Sequence, residues 1–325
     1  MADLSASLTG ASAALPARPA AETAAAGPGA VGSVGDYIAL LKPRVMSLVV
    51  FTGWAGLYLA PGHLNPVLGA VAVLCIAVAA GAAGAINMWY DRDIDALMER
   101  TKDRPLPAKR MAPADALGFG VVLGVGAVVM MALALNVVAA ILLAITIGFY
   151  VFIYTIWLKR RTPQNIVIGG AAGAFPPIVG WAAVTGQIGL PALALFALIF
   201  FWTPPHFWAL SLYRTGDYAK AGVPMLPVVA GASETKKQML LYTIALWPVA
   251  LAPTLLHAAS WFYGVPALAI SAGFTLCSVR VMRDPDISSE KPGAAKQMFH
   301  FSLLYLFLLF ALLVADRALG FSVAS

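Results

Sequence analysis

The stretch that decides the fold is Asn87-Met-Trp-Tyr-Asp91-Arg-Asp93-Ile-Asp95, with its continuation to Pro107, at the end of a long apolar segment. Asn87, Asp91 and Asp95 are spaced i, i+4, i+8, so on a helix their side chains line one face over roughly 12 Å. Asp93 points to the other side. Carboxylates beside hydrocarbon are costly, and in a membrane protein they indicate a functional site.

This row of oxygen-bearing side chains predicts a site for a metal–diphosphate. Mg²⁺ commonly takes one or two carboxylates, substrate phosphates and some water, which suits three oxygen ligands in a row. Basic residues crowd the same stretch: Arg92, Arg100, Lys102, Arg104, Lys109 and Arg110. The alternative is a charged helix end that only anchors the chain among lipid headgroups.

The composition is that of a polytopic membrane protein, since 61% of the 325 residues are hydrophobic and only 11% are charged. The net charge of +6 does not indicate a nucleic-acid partner, because the basic residues fall in short connections between apolar segments. Cys75 and Cys277 lie inside apolar runs and form neither a disulfide framework nor a metal motif.

Residues 1–35 differ from the rest of the chain. They are rich in Ala, Gly, Ser and Pro, a composition that buries too little apolar surface to fold. They also lack the features of a signal peptide. We expect a disordered cytoplasmic tail at 1–35, followed by a single membrane domain at 36–320.

Nine apolar segments predict an all-α protein with nine transmembrane helices. Most segments are long enough to cross roughly 30 Å of hydrocarbon as helices. They run near 45–61, 67–89, 114–135, 137–157, 164–185, 190–213, 239–257, 261–281 and 298–315. Pro176-Pro177 should interrupt the fifth, and the small residues there should let helices approach closely.

The charges predict the orientation. Twenty of the 21 Lys and Arg residues precede the first span or fall in the even-numbered connections, and only Arg317 lies elsewhere. The positive-inside rule then places the N-terminus in the cytoplasm and the C-terminus outside. The acidic residues share that side except for Asp316, which orientation alone does not require.

A second polar set follows span six, where Tyr213 and Asp217 are spaced i, i+4. A bundle could bring the ends of spans two and six face to face, so that Asp217 closes the site from across the cavity. The alternative is an ordinary amphipathic helix in a connection.

These motifs resemble the membrane prenyltransferases of the UbiA superfamily, whose first motif, NxxxDxxxD, corresponds to Asn87, Asp91 and Asp95. Within the superfamily the chain resembles the protohaem IX farnesyltransferases along Asn87 to Pro107, Leu158 to Pro177 and His206 to Pro227. The resemblance covers roughly 36–315. It departs from the superfamily's second DxxxD motif, since Tyr213, Asp217 and Ala221 stand there and only Asp217 is a carboxylate.

The resemblance implies a nine-helix bundle in the bacterial inner membrane, with a central cavity near the cytoplasmic side. It implies transfer of the farnesyl group from farnesyl diphosphate to a vinyl group of haem b, giving haem O for haem–copper oxidases. Membrane lipid and either haem A synthase or a terminal oxidase are the implied partners. A sibling prenyltransferase acting on 4-hydroxybenzoate or a chlorin remains an alternative. A cation transporter fits less well, because the acids lie at one surface and not at the midplane.

The residues suit this chemistry. Mg²⁺ held by Asn87, Asp91 and Asp95, with help from Asp217, would neutralise the leaving diphosphate. Aromatic faces from Tyr150, Tyr154 and Trp181 would stabilise an allylic cation. His206 and His300 are each either a satisfied intramembrane polar residue or a contact of the haem iron. The substrate-binding candidates are Lys42, Arg44, Arg100, Arg104, Tyr154, Lys159, Arg160, Asn165, His206 and Tyr213.

Overall fold

The structure, a computed structural model, describes residues 32–321 except residue 289, and this part of the chain is helical without strands. The predicted all-α architecture is confirmed. Most of the predicted tail lies outside the described residues. Helix α1 begins at Val34, inside the boundary expected at residue 35, because Ser33 and Asp36 cap it reciprocally through side chain and backbone.

The described residues form fourteen α-helices and one π-helical segment. In chain order they are α1 (Val34–Leu40), α2 (Pro43–Leu59), α3 (Pro66–Tyr90), α4 (Arg92–Asp95), α5 (Pro113–Ala134), α6 (Val137–Gly148), the π-helical segment (Phe149–Leu158), α7 (Asn165–Ala174), α8 (Pro176–Thr185), α9 (Leu190–Tyr213), α10 (Thr215–Lys220), α11 (Leu226–Val229), α12 (Gly231–Leu255), α13 (Trp261–Arg283) and α14 (Gly293–Ala318). Proline at the first or second position begins α2, α3, α5, α8 and α9, where its missing N–H costs nothing.

Eight of the described helical stretches are long and apolar enough to cross a membrane, counting α6 with the π-helical segment and α7 with α8. A ninth arises if α1 and α2, which meet at a bend of 51°, form one span. These stretches coincide with the nine apolar segments of the sequence. The number of crossings and the orientation of the termini stay predictions.

Span five is broken where the two prolines lie: α7 ends at Ala174 and α8 begins at Pro176. Small residues then let α8 approach α2 closely. A Cβ on Gly180 would lie 2.1 Å from the Gly53 carbonyl oxygen, and one on Gly56 would lie 2.2 Å from that of Pro177. Any larger residue would push these two helices apart, so the glycines fix their crossing.

The polar ends of several helices meet at one end of the bundle. There α1 is tied to the second connection, since Arg110 Nε donates to Asp36 Oδ1 at 2.8 Å. The end of α3, the end of the π-helical segment and the start of α2 converge at the same place through hydrogen bonds. The segment before α2 and the second and fourth connections therefore build one shared polar region.

Candidate active site

The row Asn87, Asp91, Asp95 keeps helical spacing across the short break between α3 and α4. The amide of Asp91 donates to the Asn87 carbonyl at 2.9 Å, and the amide of Asp95 donates to that of Asp91 at 2.8 Å. All three residues are buried, with exposed fractions of 5%, 0% and 3%. The chain thus holds two carboxylates and one amide on one inward face.

Four cationic side chains hold this row. The Lys159 ammonium contacts Asp91 Oδ2, and Arg160 reaches Asp91 Oδ1 at 3.3 Å. Arg104 binds Asp95 Oδ2 at 2.7 Å. Lys42 donates to Asn87 Oδ1 at 2.9 Å. Buried carboxylates are tolerated only when paired, so each acid has its counter-ion here.

Asp93 lies on the other side of the row, as its position in the sequence predicts, and is about half exposed. Arg160 donates to both of its oxygens, at 2.7 and 2.8 Å. Partial burial raises the pKa of Asp93, but the hydrogen bond and charge of Arg160 outweigh it, so the pKa lies below its ordinary value. Arg160 therefore bridges an exposed acid and the buried Asp91.

The side-chain amide of Asn87 makes three hydrogen bonds. Its Nδ2 donates to Asp91 Oδ2 at 2.7 Å and to Thr155 Oγ1 at 3.1 Å. Its Oδ1 accepts from Lys42, whose backbone adopts a left-handed conformation with φ of 51°. Such strain in a residue other than glycine often marks a functional position.

Thr155 reaches this site from the π-helical segment, and Lys159 reaches it from the position directly after that segment. The sequence did not predict the π-helical segment. There the amide of Lys159 donates to the Tyr154 carbonyl, five residues back, at 2.9 Å. The Tyr150 and Tyr154 rings lie 5.4 Å apart. No apolar periodicity distinguishes a π-helix from an α-helix, so only its occurrence beside polar groups could have suggested it.

The sixth connection packs against the second. Tyr218 of α10 shares an apolar cluster with Ile94 and Met98, and Tyr154 packs against that cluster. Asp217 Oδ2 is buried without a hydrogen-bond partner among the described residues. Arg214 Nη1 lies 3.8 Å from it, an ion-pair distance but too long for a hydrogen bond. Asp217 thus keeps one acceptor unused.

Four other candidates make no side-chain hydrogen bond to the acid row among the described residues, although Asn165 Nδ2 reaches the Lys159 carbonyl at 3.4 Å. Arg44 and Arg100 are exposed. Tyr213 is buried, with the Arg214 guanidinium 5.9 Å from its ring centroid. Asn165 is fully buried; its Nδ2 donates to the Thr162 carbonyl at 2.7 Å, whereas its Oδ1 has no hydrogen-bond partner among the described residues.

Trp181 does not join Tyr150 and Tyr154, so that expectation was wrong. Trp181 packs in a separate apolar cluster with Ala60 and Ala192, and its Nε1 faces Gly189 in the connection after α8. It lies near the end of the span opposite to Asn165. Helix rise places the two residues about 24 Å apart along the span, which explains why Trp181 cannot reach the site.

His206 is buried between α9 and α14. Its ring stacks between Trp202 and Phe299, with centroids 4.3 and 4.7 Å away, and its Nδ1 lies 2.6 Å from Ser302 Oγ. The Ser302 hydroxyl donates its proton to the Phe299 carbonyl, so it accepts from His206. Nδ1 therefore carries the proton and Nε2 keeps a lone pair. His300 is exposed, and its Nδ1 lies 2.9 Å from the Lys296 carbonyl oxygen, one turn earlier on α14.

An apolar cavity lies one helical turn below Asn87. It contains about 560 Å³ of space that protein atoms do not fill, part of it open at the surface. The cavity exists beside α3 because Ala79, Ala80 and Ala83 have small side chains that do not fill it. The remaining wall is formed by Met46, Val49, Ile76, Leu143, Thr146, Ile147, Tyr150, Ala172, Gly173, Pro176 and Val179.

The donor set fits a hard divalent cation such as Mg²⁺. Two carboxylates and one amide oxygen are the ligands such an ion prefers. Within the described residues, no three His, Cys, Asp or Glu side chains form a metal-holding group. An ion at this site would therefore complete its coordination with substrate phosphate and water.

Comparison with known proteins gives consistent matches. Residues 48–304 match the UbiA prenyltransferase family. The chain is 60% identical over 289 residues to protoheme IX farnesyltransferase of Acidiphilium cryptum, covering 88% of this chain and 91% of the relative. It is 59% identical over 291 residues to the protein of the same name from Granulibacter bethesdensis, covering 88% and 92%.

Solved structures share the fold at low identity. A structure described for digeranylgeranylglyceryl phosphate synthase superposes with a TM-score of 0.71 at 16% identity, covering 87% of this chain and 97% of that one. A UbiA homolog from Archaeoglobus fulgidus, bound to DMAPP and Mg²⁺, gives 0.63 at 16% identity, covering 86% and 99%. These likenesses establish the arrangement of helices.

Proposed function

The chain belongs to the UbiA prenyltransferase family and, within it, to the protohaem IX farnesyltransferases, and we propose that it transfers the farnesyl group of farnesyl diphosphate to a vinyl group of haem b. The observation that carries this proposal is the 60% identity to a protoheme IX farnesyltransferase over 88% of the chain. The buried acid row with its four cations supplies a site of suitable chemistry.

The diphosphate end of the substrate belongs at the acid row. Mg²⁺ bound by Asn87, Asp91 and Asp95, with Asp217 from the sixth connection, would supply positive charge to the leaving diphosphate oxygens. Lys42, Arg104, Lys159 and Arg160 now pair with the row. An arriving diphosphate offers these cations new oxygens, while the acids turn to the metal. Arg44 and Arg100, both exposed, can meet phosphate or propionate oxygens at the rim.

We place the farnesyl chain in the apolar cavity. The cavity begins at Ala83, one turn before Asn87 on α3, so a diphosphate at the acid row places the chain directly below. Tyr150 lines its upper part and packs against Tyr154. Two electron-rich faces therefore lie where positive charge develops at the allylic C1.

The reaction balances with water. The C1–oxygen bond of farnesyl diphosphate breaks, and C1 bonds to the outer carbon of the haem vinyl group. Water adds to the inner vinyl carbon and loses a proton, giving the hydroxyethylfarnesyl group of haem O and free diphosphate. Burial of the acid row helps to keep water from the allylic carbon until the acceptor is present.

We place the haem beside α9. His206 presents an unprotonated Nε2, the form of imidazole that binds iron, and Ser302 holds its other nitrogen. Tyr213, two turns further along α9, and the buried Asn165 complete the proposed substrate contacts. The haem propionates would meet basic residues at the same end of the bundle.

The charge distribution supports a position in the bacterial inner membrane with the site on the cytoplasmic side. The acid row lies at the end of the bundle that carries the even-numbered connections, where 20 of the 21 basic residues lie with the N-terminal stretch. Haem A synthase or a terminal oxidase would receive the product there.

The decisive experiment supplies the purified protein with Mg²⁺, farnesyl diphosphate and either haem b or 4-hydroxybenzoate, and separates the products by mass. We expect haem with a hydroxyethylfarnesyl group, formed only with Mg²⁺. Prenylated benzoate with unchanged haem would assign the chain to a sibling activity. Unchanged substrates together with cation flux in liposomes would favour a transporter.

A further inference from the structure

Thr155 occupies an unusual position for a buried threonine. It is fully buried in the π-helical segment, and its hydroxyl donates to the Tyr150 carbonyl at 2.8 Å, five residues back. Since a hydroxyl has one proton, Oγ1 can only accept in its second contact, the 3.1 Å hydrogen bond from Asn87 Nδ2. The direction of this chain of hydrogen bonds is therefore determined.

The same reasoning determines how the Asn87 amide is oriented. Asp91 can only accept and the Lys42 ammonium can only donate, so Nδ2 faces Asp91 and Oδ1 faces Lys42. The two Nδ2 protons go to Asp91 and to Thr155. Oδ1, which faces Lys42, keeps a second lone pair that no protein donor uses among the described residues.

We propose that Thr155 is a positioning residue, which holds the Asn87 amide so that its oxygen faces the metal–diphosphate. This inference rests on the proposed function, because it assigns a role to Asn87 Oδ1 in binding the divalent cation. Groups that orient a metal ligand from behind commonly change metal affinity by about 10- to 100-fold when they are removed. Without the hydroxyl, one buried Nδ2 proton loses its acceptor, and only Asp91 and Lys42 still hold the amide.

The π-helical turn explains how the Thr155 hydroxyl can accept a hydrogen bond from Asn87. A π turn closes over five residues, so Tyr150 and Thr155 come together, as do Tyr154 and Lys159. The segment thus directs the Thr155 hydroxyl at Asn87 and the Lys159 ammonium at Asp91 from successive positions on one side.

The test compares Thr155→Val, which keeps the shape and loses the hydroxyl, with Thr155→Ser, which restores the hydroxyl. Thr243→Val is the matched control, because Thr243 is equally buried and its hydroxyl donates only to its own helix, to the Leu240 carbonyl at 2.9 Å. Mn²⁺ binding is followed by electron paramagnetic resonance in the presence of farnesyl thiodiphosphate, so the readout does not depend on turnover. Thermal melting in detergent reports folding, and Thr155→Ala replaces the valine variant if that one does not fold.

We expect Thr155→Val to weaken Mn²⁺ binding at least about tenfold and Thr155→Ser to restore it to within about threefold. Thr243→Val should bind Mn²⁺ like the unchanged protein. Equal Mn²⁺ binding by the Thr155→Val and Thr243→Val proteins would overturn the inference, as would failure of serine to restore binding. A wild-type protein that makes no farnesylated haem would instead overturn the proposed function, whatever the Mn²⁺ result.

Discussion

Asp91 and Asp93 form a matched pair for testing the acid row. Both are ion-paired with Arg160 and they lie two residues apart, yet the Asp91 side chain is 1% exposed and that of Asp93 is 45% exposed. Asp91 also holds Lys159 and accepts from Asn87. Replacing each aspartate by asparagine keeps the shape and removes one negative charge.

The expected magnitudes differ because the surroundings differ. Removing a buried charge that acts on the transition state costs about 2.7–4 kcal/mol, or roughly 10²–10³ in rate. Asp91→Asn should therefore lower kcat/KM for farnesyl diphosphate by at least about 100-fold. An exposed ion pair contributes at most about 1 kcal/mol, so Asp93→Asn should lower it less than about fivefold.

The assay is initial-rate formation of haem O at saturating haem b, with melting in detergent as the measure of folding. Asp91→Asn should also melt several degrees lower, because Lys159 and Arg160 lose a buried counter-ion. Equal losses of kcat/KM in the two variants would refute the claim that Asp91, and not Asp93, lies on the face that binds the metal–diphosphate. So would an Asp91→Asn protein that keeps more than a fifth of the wild-type value.

Three further predictions concern orientation, haem and chain length. Single cysteines placed in the second, fourth, sixth and eighth connections should react only from the cytoplasmic side of intact cells, and labelling of residues 92–110 from outside would contradict the nine-span orientation. His206→Ala should abolish the Soret shift produced by adding haem b to the protein, whereas His300→Ala should keep it; equal spectra would exclude iron binding by His206. Ala83→Leu should fill the cavity below Asn87 and lower kcat/KM for farnesyl diphosphate more than for geranyl diphosphate, and an unchanged ratio would place the prenyl chain elsewhere.

The spans could be predicted because hydrocarbon offers the backbone no hydrogen-bond partners. A segment that crosses it must satisfy its own hydrogen bonds, so apolar length alone predicts helices. Pro176-Pro177 broke span five as expected, since proline lacks the N–H that the helix needs. The π-helical segment could not be predicted in this way, because bonding to the fifth rather than the fourth preceding residue leaves no mark on composition.

The site could be predicted in part. Spacing placed Asn87, Asp91 and Asp95 on one face and Asp93 on the other, because helical geometry fixes both. The choice of partners, such as Lys159 for Asp91, depends on how distant helices pack, which no local pattern encodes. Trp181 was misplaced although its distance along the span, about 24 Å from the site end, would have excluded it.

The most direct test of the proposed reaction is the origin of the new hydroxyl oxygen. The purified protein would convert farnesyl diphosphate and haem b in ¹⁸O-labelled water with Mg²⁺, and mass spectrometry would compare the haem product and the released diphosphate. The account predicts one ¹⁸O atom in the hydroxyethylfarnesyl haem and none in the diphosphate, because the C1–oxygen bond breaks and water adds to the vinyl carbon. Unmodified haem, or farnesyl haem without the label, would contradict it.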